Sequence, residues 1–307
     1  MPIVQNHSFV KYFGSPFSPN ELENWATDIL KRINGKVTFA TCFISSELSK
    51  DAPEIIDILR IYGQTNTVIG CTSASLVADN REIENEAGFI ASIHSLPETE
   101  ANAFYFPPDR IGMNIGNNSV AQRNTPQFTD YNAWLLFASS QRIGGENWLK
   151  EWDKLTRGAV TVGGFANTGS EDQKCLLFHN GKVYEDGAVA VGFKGRVTIE
   201  PVISQGCRPV GVPWLVTKAE LNVIHKVGNR PILEVLRDTL EDMSHVDKSL
   251  ARGNIFIGLV LDEYKSTFGT GDFLVRNLAA IDPQSGAVAI ATPPRVGQSM
   301  QFQIRDA

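Results

Sequence analysis

The 307-residue chain is poor in the residues that announce common chemistries. Its four cysteines, Cys42, Cys71, Cys175 and Cys207, are far apart with no C-x-x-C pair, and its five histidines include no pair at metal spacing. That excludes a disulfide framework and the recognisable zinc motifs, and leaves reduced thiols as the expectation. No apolar run approaches the ~20 residues of a membrane-spanning helix, and residues 1–11 lack the apolar stretch of a signal peptide. A cytoplasmic protein with no membrane partner is expected. Basic charge is not in excess: 28 Lys plus Arg against 34 Asp plus Glu give a net charge of −6. Such a surface has no global attraction for phosphate backbones, so nucleic acid is not an expected partner. A P-loop, a G-x-G-x-x-G after a strand, an H-E-x-x-H and a G-x-S-x-G elbow are all missing, and no reaction type follows from spacing.

What is present is an ordinary globular composition, 42% hydrophobic and 20% charged, in a chain longer than one core usually supports. Ser18-Pro19-Asn20-Glu21 combines an N-cap hydroxyl, a first-turn proline and a third-position carboxylate, and Leu22, Trp25, Ala26, Ile29, Leu30 and Ile33 continue it as one helical stripe. Strands at 37–43 and 67–71 around a helix that runs to Gly63 make a β-α-β unit, whereas alternating strands at 87–95 and 101–106 suggest antiparallel neighbours. Further elements are a strand at 133–138, a helix bearing Trp148, Leu149, Trp152 and Leu155, and a strand at 159–162. Asn180-Gly181 marks a tight hairpin between 175–178 and 183–193. Residues 107–131 have no periodicity and read as a functional loop, a candidate interaction surface. The glycine- and proline-rich stretch 204–213 reads as irregular and as the domain junction. Beyond it come a hairpin at 214–227, a helix opened by Pro231 and four strands. The expected fold is therefore α+β, with two domains, 1–205 and 206–307, each of mixed, largely antiparallel sheet covered by helices.

Three short glycine stretches stand directly after apolar runs: Gly70-Cys71-Thr72-Ser73, Gly163-Gly164-Phe165-Ala166 and Gly206-Cys207-Arg208-Pro209. Glycine at a strand end lets backbone approach a ligand and exposes amide donors, so these read either as walls of a small polar pocket or as plain tight turns. Cys71 and Cys207 are the thiols a nucleophilic mechanism would use; the alternative for Cys71 is a small apolar space-filler. Arg208 is the one charge in its stretch, suited to gripping a carboxylate in bidentate fashion and equally to an ion pair between domains.

Ser204-Gln205-Gly206-Cys207-Arg208-Pro209-Val210-Gly211, with Val68 to Ala74 and Asn80-Arg81-Glu82-Ile83-Glu84, resembles the FIST family. Gly163-Gly164-Phe165-Ala166, Phe273-Leu274-Val275-Arg276-Asn277 and Gln303-Ile304-Arg305-Asp306-Ala307 also look like family counterparts, so the resemblance covers essentially the whole chain. It implies a FIST N domain followed by a FIST C domain, acting as a sensory unit for small ligands, amino acids being the usual suggestion, with no established reaction. On that reading Cys71, Thr72, Ser73, Gly163, Gly164, Phe165, Gln205, Gly206, Cys207 and Arg208 bind a small polar ligand at or near the cleft between domains, and a signalling protein lies downstream. No metal is expected. The resemblance also implies two alternatives. One is a haem-based nitric oxide sensor, with His225, His94 or His179 as axial ligand. The other is a substrate-recruiting interaction platform like the F-box relatives in animals, although no F-box segment precedes the domain. Family members continue past the Arg-Asp-Ala stretch, so the FIST C part is expected to be incomplete.

Overall fold

A computed structural model describes residues 7–108, 128–139, 145–170, 173–202 and 205–305. It divides into two compact units, Met1–Pro201 and Val202–Ala307. The fold is mixed α+β, as the alternation of helical and strand periodicities predicts.

The first unit is one strand pattern laid down twice. The first half runs β1 (Ser8–Gly14), α1 (Pro19–Arg32), β2 (Phe39–Ile44), α2 (Ala52–Tyr62), β3 (Val68–Thr72), a hairpin of β4 (Ser75–Ala78) and β5 (Arg81–Glu84), and β6 (Gly88–His94). The second runs β7 (Thr99–Phe106), β8 (Ala133–Ser139), α3 (Gly145–Thr156), β9 (Val160–Ala166), a hairpin of β10 (Leu177–His179) and β11 (Lys182–Tyr184), and β12 (Ala188–Gly195). The strand orders are β1-β6-β2-β3 and β7-β12-β8-β9, with β2–β3 and β8–β9 parallel and the other pairs antiparallel. Even the register agrees: the row Lys11, Ala91, Cys42, Gly70 corresponds to the row Phe104, Ala190, Leu136, Gly163. The halves differ in their hairpins. β4–β5 pairs only with itself, while β10–β11 crosses over and extends the first sheet beyond β3, giving it six strands.

Side-chain alternation along these strands builds four layers. Ala40, Cys42, Ile44 and Val68 face the apolar stripe of α1 and α2, with Leu22, Ala26, Ile29, Ile55, Ile56 and Leu59 fully or almost fully buried there. The opposite faces of the two sheets meet in a second core around Phe39, Ile69, Cys71, Phe137, Leu177, Val189, Val191 and Phe193. A third core, Trp134, Leu136, Ala138, Trp148, Trp152 and Ala190, lies under α3. Trp148 and Trp152 are thus core residues, as their helical spacing suggests. α1 starts where the sequence says, with Ser18 Oγ accepting the Glu21 amide at 3.4 Å.

The second unit comprises β13 (Cys207–Glu220), β14 (Val223–Val227), the short β15 (Arg230–Pro231), α4 (Ile232–Asp242), α5 (His245–Ala251), β16 (Ile255–Val260), β17 (Phe273–Asp282), β18 (Ala287–Ile290) and β19 (Ser299–Arg305). Its pairing runs β13-β19-β16-β17-β18-β14 and returns to β13, all antiparallel, so the sheet closes into a ring. α4 buries Ile232, Leu233, Val235 and Leu236 in the core this ring supplies, with Val216, Ile224, Met300 and Phe302.

Three expectations about strand limits are corrected. The stretch 204–213 is not irregular from Cys207 on: Cys207 to Val210 pairs with Arg305 to Phe302, and the bulge before Trp214 holds Gly211 at φ 67°. Glycine and proline read as a loop, yet an edge-tolerant bulge lets the strand carry them. The strand expected at 159–162 continues through Ala166, so Gly163 to Phe165 belong to β9 rather than to a turn after it, and Gly70 to Thr72 likewise lie within β3. The single strand expected at 183–193 is two strands in different sheets. The hairpin at Asn180-Gly181 forms with φ values of 50° and 86°, as a type I′ turn requires. Of the long loop at 107–131, residues 109–127 lie outside the described residues.

Candidate functional site

The ends of β3 and β9 are neighbours within the first unit. The Asn167 amide donates to the Thr72 carbonyl at 3.1 Å, and the Ser46 hydroxyl donates to the Thr168 carbonyl at 3.4 Å. The Thr72 and Ser73 amides and the Ser73 hydroxyl already have acceptors within the unit. The Thr72 amide donates to the Leu176 carbonyl at 2.9 Å, and the Thr72 hydroxyl accepts the Leu176 amide at 2.9 Å. The Ser73 amide reaches the Ile44 carbonyl at 3.0 Å, and its hydroxyl the Ser75 carbonyl at 2.6 Å. Cys71 points into the core between the sheets, where burial, and then neighbouring Cys175, push its thiol up to about 12. Burial likewise raises Cys42. A thiol that stays protonated at neutral pH is a space-filler, not an activated nucleophile. Gly163, Gly164 and Phe165 are exposed on β9, with the Phe165 ring edge-on to Trp148 at 6.4 Å.

The residues expected from the second stretch all lie in the second unit, where Gln205 and Arg208 have hydrogen-bond partners. The Gln205 side chain bridges like a strand, donating to the Phe273 carbonyl at 2.6 Å and accepting the Val275 amide at 2.9 Å. Gly206 holds φ 59°, which favours glycine. Cys207 is half-buried at the start of β13. Arg208 donates to the Asp247 carboxylate of α5, which its hydrogen bond holds below the usual carboxylate range. At the start of that helix the Asp247 amide donates to the capping Ser244 Oγ at 3.1 Å.

A cavity of about 1010 Å³ opens at the other end of the first unit's sandwich, where β2, β3 and β7 begin and β6 and β12 end. It is lined by residues 34–38, 64–67 and 95–102 with His7, Lys194 and Gly195, none of which the sequence patterns single out. Several of its hydroxyls fix the walls: Ser95 donates to the Asn34 carbonyl at 2.7 Å and Thr67 to the Ala101 carbonyl at 3.1 Å, while Thr38 accepts the Leu96 amide at 2.8 Å. Lys36, Asn66, Glu100 and Asn102 are exposed along it and offer both signs of charge and two amide groups. These residues come from separate connections with no shared motif. Only the clustering of asparagine, threonine and glutamine at 64–67, just before a strand, could have drawn notice.

The three histidines considered as haem ligands lie on β6, β10 and β14. Both ring nitrogens of His94 are hydrogen-bonded, Nδ1 to Ser8 Oγ at 2.9 Å and Nε2 to Ser92 Oγ at 2.7 Å, and its ring stacks on Phe39 at 4.5 Å. Burial lowers its pKa to about 4. His179 sits in β10 beside Tyr184 at 6.4 Å, and His225 is half-buried on β14. Among the described residues no group of three or more His, Cys, Asp or Glu could hold a metal ion, and no helix is long and apolar enough to cross a membrane.

Comparison with known proteins places the chain in a family. An uncharacterized protein of Mycobacterium tuberculosis strain H37Rv is 29% identical over 273 residues, covering 89% of this chain and 70% of its own length. An uncharacterized protein of Mycobacterium bovis is 31% identical over 240 residues, covering 78% of this chain and 60% of its own. The FIST N domain family matches residues 38–230, from β2 of the first unit through β14 of the second. The chain therefore belongs to the FIST family, whose FIST N domain is a sensory domain of signal transduction.

Proposed function

We propose that this chain is the ligand-reading part of a cytoplasmic signalling system, binding a small polar molecule, an amino acid foremost, without transforming it. The observation that carries the reading is the polar cavity of the first unit. Its rim combines the ammonium of Lys36 with the carboxylate of Glu100, and the amides of Asn66 and Asn102 add donors and acceptors. A zwitterion complements such a surface at both ends. Family membership supports the sensory role, and the raised Cys71 pKa supports binding without covalent chemistry. Output follows if the bound form has a different population of conformers, which a downstream signalling protein then reads.

Gln205, Gly206, Cys207 and Arg208 of the second unit form the rival location, in which Arg208 exchanges Asp247 for a ligand carboxylate. Thermal-shift measurement with the twenty common amino acids and related acids separates the two. The cavity reading predicts a raised midpoint with at least one of them, lost in Lys36→Ala or Glu100→Ala and kept in Arg208→Ala. The reverse pattern moves the site to Arg208, and no shift with any compound removes the amino-acid reading. A Soret band on adding haem, abolished by changing His225, His94 or His179, would replace it with a haem sensor.

A further inference from the structure

We propose that two copies of this protein pair through β9, antiparallel about a two-fold axis at Gly164, joining their four-stranded sheets into one of eight strands. The argument comes from the internal repeat. β3 and β9 are equivalent, and at their matched glycines a Cβ would fall 1.7 Å from a neighbouring carbonyl oxygen, that of Cys42 at Gly70 and that of Leu136 at Gly163. Neither glycine carries a side chain, so its strand shows bare backbone on the helix-facing side of that row. Beyond β3 this bare row is covered: β10 pairs there with Phe178 directly across from Gly70, and Phe178 is fully buried in the core under α1 and α2.

Beyond β9 no strand pairs among the described residues, and Gly163 and Gly164 are exposed. This edge has none of the features that discourage association: Val160-Thr161-Val162-Gly163-Gly164-Phe165-Ala166 contains no charge and no proline. Its large apolar side chains are left in water, Val160 40% and Phe165 54% exposed.

The strand itself supplies the missing cover. Gly163 and Phe165 share the face toward α3, because strand side chains alternate with period two. With the axis at Gly164, Phe165 of the second copy lies across from Gly163, and Phe165 across from the second copy's Gly163. The Phe178–Gly70 pair is thereby reproduced twice, on the equivalent face. Val162 then meets Ala166 of the second copy, an isologous and apolar contact. A second copy meets this requirement where a generic edge-binding segment would have to bring its own aromatic residue at the right offset.

Sedimentation of the full chain tests the proposal, with Gly164→Cys and Phe165→Lys as variants. The expected mass is twice 33.7 kDa. Gly164→Cys, whose Cβ meets nothing within 4 Å, should give a reducible covalent dimer under mild oxidation that the unaltered chain does not give. Phe165→Lys should sediment as a single chain. A single-chain mass for the unaltered protein across concentrations overturns the proposal, as does a dimer that Gly164→Cys fails to cross-link. If Phe165→Lys does not fold, the cross-link alone decides.

Discussion

Gly70 and Gly163 stand at the same point of two copies of one strand pattern, 93 positions apart by residue number, each pressed against the carbonyl of the residue beside it on the parallel neighbour. The relationship makes their tolerance predictable. Gly70→Ala forces β2 and β3 apart inside the six-stranded sheet and should cost at least the 1–3 kcal/mol, roughly, of an overpacked core. Gly163→Ala meets the equivalent oxygen of Leu136 on an edge strand, and its φ of 154° adds backbone strain, so it should be destabilising too. Gly164→Ala meets open space and should stay within about 0.5 kcal/mol in urea unfolding. A harmless Gly70→Ala would contradict the register.

Thiol reactivity should rank by burial. Cys207, half-buried at the start of β13, should be alkylated first, while Cys71 and Cys42 resist until the chain unfolds, because burial keeps both thiols protonated. Peptide mapping after timed iodoacetamide labelling checks this. Rapid native labelling of Cys71 would reopen a nucleophilic role.

His94 should make stability depend on pH. Its folded pKa of about 4 lies below the ordinary 6.5, so the unfolded chain binds the proton more readily. Stability is therefore fully present above about 6.5 and lost as pH falls towards 4, by up to about 3 kcal/mol at about 1.36 kcal/mol per unit. His94→Gln should remove this slope in urea midpoints taken from neutral pH downward. An unchanged slope would assign the dependence to other groups.

Much of the fold was legible because local signals and packing agree. The Ser18 cap, the α1 stripe and the Asn180-Gly181 turn all act within a few residues, and each appears where the sequence puts it. The candidate site was less legible for the opposite reason. Gly70, Gly163 and Gly206 do stand at special backbone positions, but the demand comes from neighbouring strands and a left-handed φ, which look in sequence like ligand loops. The repeat was hidden because it is held by register rather than residue type: Lys11 matches Phe104 and Cys42 matches Leu136. The cavity was hidden because its walls come from separate connections that meet only in the folded sandwich.

Arg208 and Asp247 should titrate as partners. The Arg208 hydrogen bond holds the Asp247 carboxyl below its ordinary 3.8, so carboxyl-detected NMR should find it depressed, and Arg208→Ala should return it towards that value. An Asp247 that titrates normally in the unaltered chain would contradict this pairing.

Amide chemical-shift mapping with the amino acid that stabilises the protein most tests the sensing account at its centre. Perturbations should gather at residues 34–38, 64–67 and 95–102 and weaken together in Lys36→Ala. Perturbations confined to 205–208, or none at saturating ligand, would contradict it.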